Sequence, residues 1–159
     1  MLRPPLAGEP ERDYGLPMRI SDVIRRKGDQ VVTVRSDATV RQLLEILEEH
    51  RIGAVVVSND GSTVTGIVSE RDVVRHLHNA GAGLLDQTVE TIMTSDVHTG
   101  SPGDDIEDLA RLMTDRRVRH VPVVVDDKLV AIVSIGDVVK SRIDELKTER
   151  DHLVEYIQQ

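Results

Sequence analysis

The stretch Gly66-Ile67-Val68-Ser69-Glu70-Arg71-Asp72-Val73-Val74 returns 65 residues later as Ala131-Ile132-Val133-Ser134-Ile135-Gly136-Asp137-Val138-Val139. In both copies an apolar strand end leads into Ser-x-x-Asp at the start of an amphipathic helix. Upstream, the offset becomes 66, and the apolar stripe Val40, Leu43, Leu44 and Leu47 is matched by Ile106, Leu109, Ala110 and Met113. A motif, a helix stripe and a hairpin repeated in one order predict an internal duplication.

The repeated unit has the predicted order strand–helix–strand–strand–helix. In the first copy we expect strands at 31–34, 54–57 and 64–68, helices from Val40 and Ser69, a hairpin turn at 59–61 and a helix end near Gly53. In the second copy we expect a first strand at 97–99 and a two-residue turn at Asp126-Asp127. The pattern predicts an α/β (α+β) fold, with two small sheets packed against helices.

The flanking segments divide the chain into five parts. We expect a flexible lead-in at 1–17, the first repeat at 18–80, a linker with a short helix at 81–95, the second repeat at 96–143 and a helical tail at 144–159. Ser21 and Asp22 are expected to cap a short helix within the first repeat. The apolar residues of the tail suit either packing on its own domain or pairing with a second subunit, and the sequence leaves both open.

Composition excludes several classes of function. The formal net charge is −8 and the only aromatic residues are two tyrosines, so we expect no nucleic-acid partner. Cysteine is absent, which excludes disulfides and thiolate zinc sites, and His76 and His78 diverge on a helix, so no metal site is predicted. Without a transmembrane run or a signal segment, the expected location is the cytoplasm.

The repeated Ser-x-x-Asp motif is the candidate binding feature. The hydroxyl of Ser69 or Ser134 lies beside unpaired N–H groups at a helix start, and the carboxylate of Asp72 or Asp137 can accept two hydrogen bonds from a diol such as ribose. The same spacing also forms a capping box, in which the two side chains satisfy only the helix end. The spacing by itself does not decide between these interpretations.

Three segments resemble the signatures of CBS domains, the domains named after cystathionine β-synthase: 66–74, 132–139 and Val118-Arg119-His120-Val121-Pro122-Val123. A tandem pair of these domains is called a Bateman module, and the likeness covers about residues 18–143, in particular to stand-alone pairs of bacteria and plant organelles. The resemblance implies two clefts that bind adenosine-containing ligands. It assigns adenine and ribose contacts to Thr33, Ile67, Ser69, Asp72, Thr99, Ile132, Ser134 and Asp137, and phosphate contacts to Arg71, Arg119, His120, Pro122 and Lys140.

The two copies differ where phosphate is expected. Arg119 and His120 correspond to Gly53 and Ala54 in the first unit. Ala131 replaces Gly66, which is expected to narrow the second cleft. We therefore expect the two clefts to differ in ligand or affinity.

The resemblance predicts a regulatory module that senses AMP, ATP or NAD(H), with no catalytic cofactor, acting on an unidentified target protein. The sequence identifies no catalytic constellation, so we do not expect an enzyme. Such modules usually stack as a disc-like homodimer. The alternative is a structural homodimerisation module whose clefts hold no ligand.

Overall fold

The computed structural model describes residues 17–28 and 30–159, so nearly all of the expected lead-in lies outside the described residues. The first half contains α1 (Ile20–Lys27), β1 (Thr33–Val34), α2 (Val40–His50), β2 (Ala54–Val57), β3 (Gly66–Ser69) and α3 (Glu70–Ala80). The second half contains two 3₁₀ turns (Gly81–Asp86 and Val89–Thr91), α4 (Ile106–Arg116), β4 (His120–Val125), β5 (Lys128–Ser134) and α5 (Ile135–Gln158). The predicted α/β duplication is confirmed.

Each half has its own small sheet. In the first sheet β2 is central, with β1 parallel to it on one side and β3 antiparallel on the other. In the second half β4 and β5 form an antiparallel pair, and the strand expected at 97–99 is reduced to one parallel bridge between Gly100 and Val123. Gly100 N–H donates to the carbonyl of Pro122 at 2.9 Å, so a single residue takes the place of β1.

The two hairpins differ in length. The turn expected at 59–61 is part of an eight-residue connection, 58–65, in which the Asp60 carboxylate accepts hydrogen bonds from the N–H groups of Ser62 and Thr63. Two strands of this sheet are shorter than predicted, because β1 begins only at Thr33 and β3 only at Gly66. The first hairpin is therefore an ordered loop rather than a tight turn.

The second hairpin has the predicted two-residue turn. Asp126 and Asp127 adopt φ values of 50° and 62°, as a type I′ turn requires.

Several helix ends differ from the predictions. Helix α1 begins at Ile20, with Arg19 as N-cap, so Ser21 lies inside the helix; the Asp22 carboxylate accepts the Arg19 N–H at 2.9 Å. Helix α2 ends at Arg51 in the left-handed conformation (φ 51°), not at Gly53. Arg51 N–H bonds to carbonyls of the last helical turn, which offsets the cost of left-handed backbone in a residue other than glycine.

The two halves exchange apolar segments. Ile20 and Val23 from α1 lie in the core of the second half, together with Ile106, Leu109 and Met113. The core of the first half is completed by the segment that opens the second half, whose buried members are Leu84, Val89 and Ile92. The linker expected at 81–95 is therefore part of a core. The segment that opens each half packs into the core of the other half.

Backbone bonds hold both exchanged segments in the same way. Ile20 N–H donates to the Asp104 carbonyl and Ile106 N–H to the Met18 carbonyl, each at 2.9 Å. In the other half, Val40 N–H donates to Gln87 O at 2.9 Å and Val89 N–H to Ala38 O at 2.8 Å. The exchange thus obeys the same pseudo-symmetry as the sequence duplication.

The tail continues α5 as one helix. From Asp151 onward every described side chain is exposed, including Leu153 (63%) and Ile157 (80%). This last part of α5 does not pack on the described body of its own chain.

The exchange predicts that a substitution in α1 destabilises the second half. Ile20 has no exposed surface, so Ile20→Ala should lower the free energy of unfolding by about 2–5 kcal/mol, because a cavity opens in that core. Urea denaturation measures the loss, and amide hydrogen exchange should accelerate first in β4 and β5. The matched variant Val89→Ala should accelerate exchange first in β2 and β3 instead. Faster exchange in β2 and β3 with Ile20→Ala would contradict the assignment of α1 to the second core.

Candidate functional site

A cavity of 660 Å³ lies between the two halves, and we call it the first cleft. Residues from both halves line it: Gly53, Ala54, Ile67, Ser69, Glu70, Arg71, Asp72, Val74, Arg75, Thr94, Asp96, Val97, His98, Arg116, Arg117, Val118, Arg119 and His120. Its volume lies within the range of small-molecule sites. The first cleft therefore combines the Ser-x-x-Asp motif of the first unit with the Arg-His segment of the second.

The first motif forms a capping box and keeps one carboxylate oxygen available. Asp72 Oδ2 accepts the Ser69 N–H at 2.8 Å and the Ser69 hydroxyl at 3.0 Å, and Ser69 Oγ accepts the Asp72 N–H at 3.4 Å. A carboxylate has two oxygens, and these bonds use only Oδ2. The structural interpretation of the motif is correct, and it remains compatible with ligand binding through Oδ1.

The segment opposite this motif is held by backbone pairing. Ile67 and Thr94 exchange two N–H···O bonds of 2.9 Å, which hold the chain from Thr94 to His98 along the wall of the cleft. The pairing requires glycine at position 66, because a Cβ there would lie 2.7 Å from Met93 Sδ and 2.9 Å from the Thr94 carbonyl oxygen. Gly66 is thus needed for this wall of the cleft.

The first cleft is basic in a protein that is acidic overall. Its described lining carries three acidic residues, Glu70, Asp72 and Asp96, and five arginines: Arg71, Arg75, Arg116, Arg117 and Arg119. Within residues 17–28 and 30–159 none of these five guanidinium groups forms an ion pair or a side-chain hydrogen bond. The uncompensated charge makes the cavity suitable for an anion.

Sequence reasoning missed part of this basic wall. It assigned only Arg119 of this segment to the ligand, whereas the exposed residues Arg116 and Arg117 line the cavity as well. Arg117 ends α4 in the left-handed conformation (φ 54°), as Arg51 ends α2. Asp96 and His98 were missed as well. Their positions, three residues and one residue before Thr99, were the available signal.

His120 is half-buried at the inner end of the basic wall. Burial lowers the pKa of its imidazole, and the nearby charge of Lys27 lowers it further, against smaller opposite effects of Asp137 and Glu70. His120 therefore favours the neutral form in the unliganded protein.

The second motif has the same cap but a different partner. Ser134 N–H donates to Asp137 Oδ2 at 2.8 Å, and Asp137 N–H donates to Ser134 Oγ at 3.1 Å. Lys27, the last residue of α1, places its Nζ 2.6 Å from the same Asp137 oxygen and 2.8 Å from the carbonyl oxygen of Ile132. We call the space beside Ile132, Ser134 and Asp137 the second cleft.

The charge state of Asp137 reflects this ion pair. Burial disfavours the carboxylate, but hydrogen bonds from Lys27 and from the Ser134 N–H outweigh burial and hold the pKa of Asp137 below its usual value. The structure thus brings a cation to one of the two predicted ribose-binding carboxylates and not to the other. The two motifs therefore differ in their charged partners, while the expected difference in ligand or affinity stays a prediction.

The remaining predicted residues lie outside the described lining of the first cleft. Thr33 pairs with Val56 in the first sheet, and Thr99 is exposed. Pro122 is buried within β4, where it pairs with Ile132, so its ring is not available to phosphate. Lys140 is exposed on α5, one turn beyond Asp137.

Residues 17–28 and 30–159 contain neither a metal-ligand cluster nor a membrane-spanning helix. In this part of the chain no three His, Asp or Glu side chains are grouped so as to hold a metal ion. Nor does any helix in the same residues have the length and apolar character needed to cross a bilayer.

Similarity to known proteins covers nearly the whole described chain. Residues 20–79 and 89–144 each match the family described as CBS domain. A mitochondrial CBS domain-containing protein of Arabidopsis thaliana, CBSX3, is 35% identical over 87% of this chain and 71% of its own length. The crystal structure of the CBS-domain containing protein ATU1752 from Agrobacterium tumefaciens is 42% identical, with a TM-score of 0.76 over 79% of this chain and 99% of that one.

A further solved structure contains ligands. The CBS domain pair of protein MJ0100, solved in complex with 5′-methylthioadenosine and S-adenosyl-L-methionine, is 25% identical to this chain. Its TM-score is 0.70, over 83% of this chain and 99% of the other.

The contact at Gly66 predicts a selective effect of one methyl group. Gly66→Ala should lower the free energy of unfolding by about 1–3 kcal/mol and displace the wall at 94–98, because the new Cβ overlaps Met93 and Thr94. Gly83→Ala is the matched control, since a Cβ at position 83 meets nothing within 4 Å and should leave stability unchanged or slightly raised. Chemical denaturation of both variants measures the difference. Equal stability of the two variants would show that the wall does not depend on close approach at Gly66.

Proposed function

The chain belongs to the CBS domain family, and on that premise we propose that it is a regulatory module whose first cleft binds an adenosine nucleotide through its ribose and phosphates. One observation carries the proposal: a capped carboxylate with a free oxygen, that of Asp72, lies in the same cavity as five arginines without ion-pair partners among the described residues. Each group alone has a structural explanation. Together in one cavity, the carboxylate suits the ribose of a nucleotide and the arginines suit its phosphates.

The ribose end of the ligand is assigned to the first motif. Asp72 Oδ1 would accept hydrogen bonds from the ribose diol, while Oδ2 remains bound to Ser69 and fixes the carboxylate. The aliphatic side chains of Ala54, Ile67 and Val97 line the same cavity and provide the apolar surfaces between which a purine would lie. This arrangement suits a protein whose core and cleft lack large aromatic residues.

The phosphate end is assigned to the arginines. Guanidinium groups bind phosphate oxygens through paired hydrogen bonds, and five of them exceed what one monophosphate requires. We therefore favour a ligand with two or more phosphates, such as ATP or NAD(H), over AMP. A sulfonium ligand such as S-adenosylmethionine adds a positive charge and is least suited to this cavity.

The assembly is proposed to be a homodimer. A target protein would bind the liganded and the unliganded forms with different affinity. Val74, Leu77, Val139 and Ile143 on α3 and α5 are between 44% and 67% exposed, so they leave apolar surface for a second copy. Val73 and Val138 of the same two helices are buried in their own halves and do not contribute to this surface. We propose no catalytic role for the chain. A location in the cytoplasm stays a prediction, and the Arabidopsis relative is named as mitochondrial.

A thermal-shift and calorimetry series tests the ligand. ATP, ADP, AMP, NADH and S-adenosylmethionine are each added to the full chain, and ATP or NADH is expected to raise the melting temperature most. Asp72→Asn should weaken that binding at least about tenfold, because it removes the charge that accepts the ribose hydroxyls. The control Asp126→Asn changes a carboxylate in the β4–β5 turn and should leave binding unchanged. No shift with any ligand at millimolar concentration would contradict the proposal and favour the purely structural module.

The lowered pKa of His120 predicts that binding depends on pH. A bound phosphate favours the imidazolium form, so the pKa of His120 rises in the complex and binding takes up a proton. Affinity should therefore increase severalfold as the pH falls from about 8 to about 6. The phosphate itself gains protons in this range, so the measurement is the ratio of wild type to His120→Gln at each pH. A ratio that does not change with pH would show that His120 does not face the phosphates.

A further inference from the structure

We propose that the Lys27 ammonium group occupies the ribose position of the second cleft, so that the wild-type chain binds one nucleotide and Lys27 determines this stoichiometry. The identity of the ligand rests on the proposed function. The closed state of the second cleft rests on separate contacts around Asp137.

Lys27 takes the acceptors that a ribose would need. Its Nζ lies 2.6 Å from Asp137 Oδ2 and 2.8 Å from the Ile132 carbonyl oxygen, so it bridges two of the groups that define the second cleft. The Asp137 side chain is 23% exposed and that of Lys27 37%, so the pair is partly shielded from water. In the first cleft, no described cation lies within ion-pair distance of Asp72.

The position of Lys27 is fixed by the fold. Helix α1 is anchored in the second core by Ile20 and Val23, and it ends at Lys27 because Gly28 (φ 92°) turns the chain away. The side chain therefore projects from the end of an anchored helix toward the start of α5. Lys27 reaches Asp137 as a consequence of the segment exchange.

Ala131 explains why the Ile132 carbonyl is available to Lys27. In the first half, the equivalent carbonyl of Ile67 accepts the Thr94 N–H, and that approach needs Gly66. Ala131 carries the methyl group that Gly66 lacks, and no described backbone segment pairs with Ile132 on that side. The Ile132 carbonyl therefore accepts a hydrogen bond from the Lys27 side chain, whereas the Ile67 carbonyl accepts one from a backbone N–H.

Displacing Lys27 should weaken binding at the second cleft. A nucleotide there would have to break two hydrogen bonds from a cation and replace them with bonds from neutral hydroxyls. Two such bonds, each near the lower end for charged hydrogen bonds because Lys27 is partly exposed, should together weaken binding by about a hundredfold, so the second cleft stays empty at concentrations that fill the first. In addition, the positions equivalent to Arg119 and His120 are Gly53 and Ala54, so those two phosphate contacts are missing in the second cleft.

Titration calorimetry of the full chain with ATP, and in a second series with AMP, tests the proposal by counting sites. Wild type is expected to bind one nucleotide per chain and Lys27→Ala two. Arg26→Ala is the matched control, since Arg26 is an exposed cation on the same helix turn without a described partner, and it should bind one. Lys27→Arg keeps a cation and should also bind one. Circular dichroism confirms that each variant is folded, and Lys27→Gln replaces Lys27→Ala where the alanine variant is not.

Further variants locate the two sites. Asp137→Asn in the Lys27→Ala background should remove only the gained site, and Asp72→Asn only the original one. The proposal is overturned if wild type binds two nucleotides. It is also overturned if Lys27→Ala and wild type bind the same number, including the case in which neither binds any. If wild type binds none and Lys27→Ala binds one, the role of Lys27 stands while the proposed function of the first cleft fails.

Discussion

Ile20 is fully buried among the apolar side chains of the second core, and Val89 is fully buried in the first, although each belongs by sequence to the opposite half. This exchange constrains the rest of the molecule. Neither core is complete without a segment from the other half, so the two halves are held in one relative orientation by apolar burial and by paired backbone bonds. The cleft between them is consequently set by the fold, and the first Ser-x-x-Asp motif and the Arg-His segment line it together.

A single methyl group accounts for much of the difference between the clefts. At Gly66 the side chain of Met93 and the backbone of Thr94 come close and form a wall, whereas Ala131 leaves the carbonyl of Ile132 to the side chain of Lys27. The capping boxes are alike in both halves, because they depend only on local spacing. The electrostatics of the two sites therefore differ in the segments that face the motifs and also in Glu70 and Arg71, which Ile135 and Gly136 replace in the second motif.

Local patterns were the predictable part of this structure. The stripe from Val40 to Leu47 and the Ser-x-x-Asp caps depend on residues within one or two turns, so periodicity and spacing were sufficient for them. The ion pair between Lys27 and Asp137 joins residues far apart in the chain, and it depends on an exchange that periodicity does not encode. Arg116 and Arg117 were not assigned to the cleft for the same reason, since only the packing of the two halves places them beside the first motif.

The exchanged segments also bear on how such a chain can arise. A single ancestral unit would lack part of its own core and would complete it with the same segment of a second copy, which is a domain-swapped homodimer. Joining two copies in one chain preserves every contact of that dimer, but the two sites are no longer encoded by the same residues. From then on Lys27 and Asp96, which lie seven residues after the equivalent residues Ile20 and Val89, are free to differ. Gene fusion thus turns a symmetric pair of sites into two that selection can alter separately.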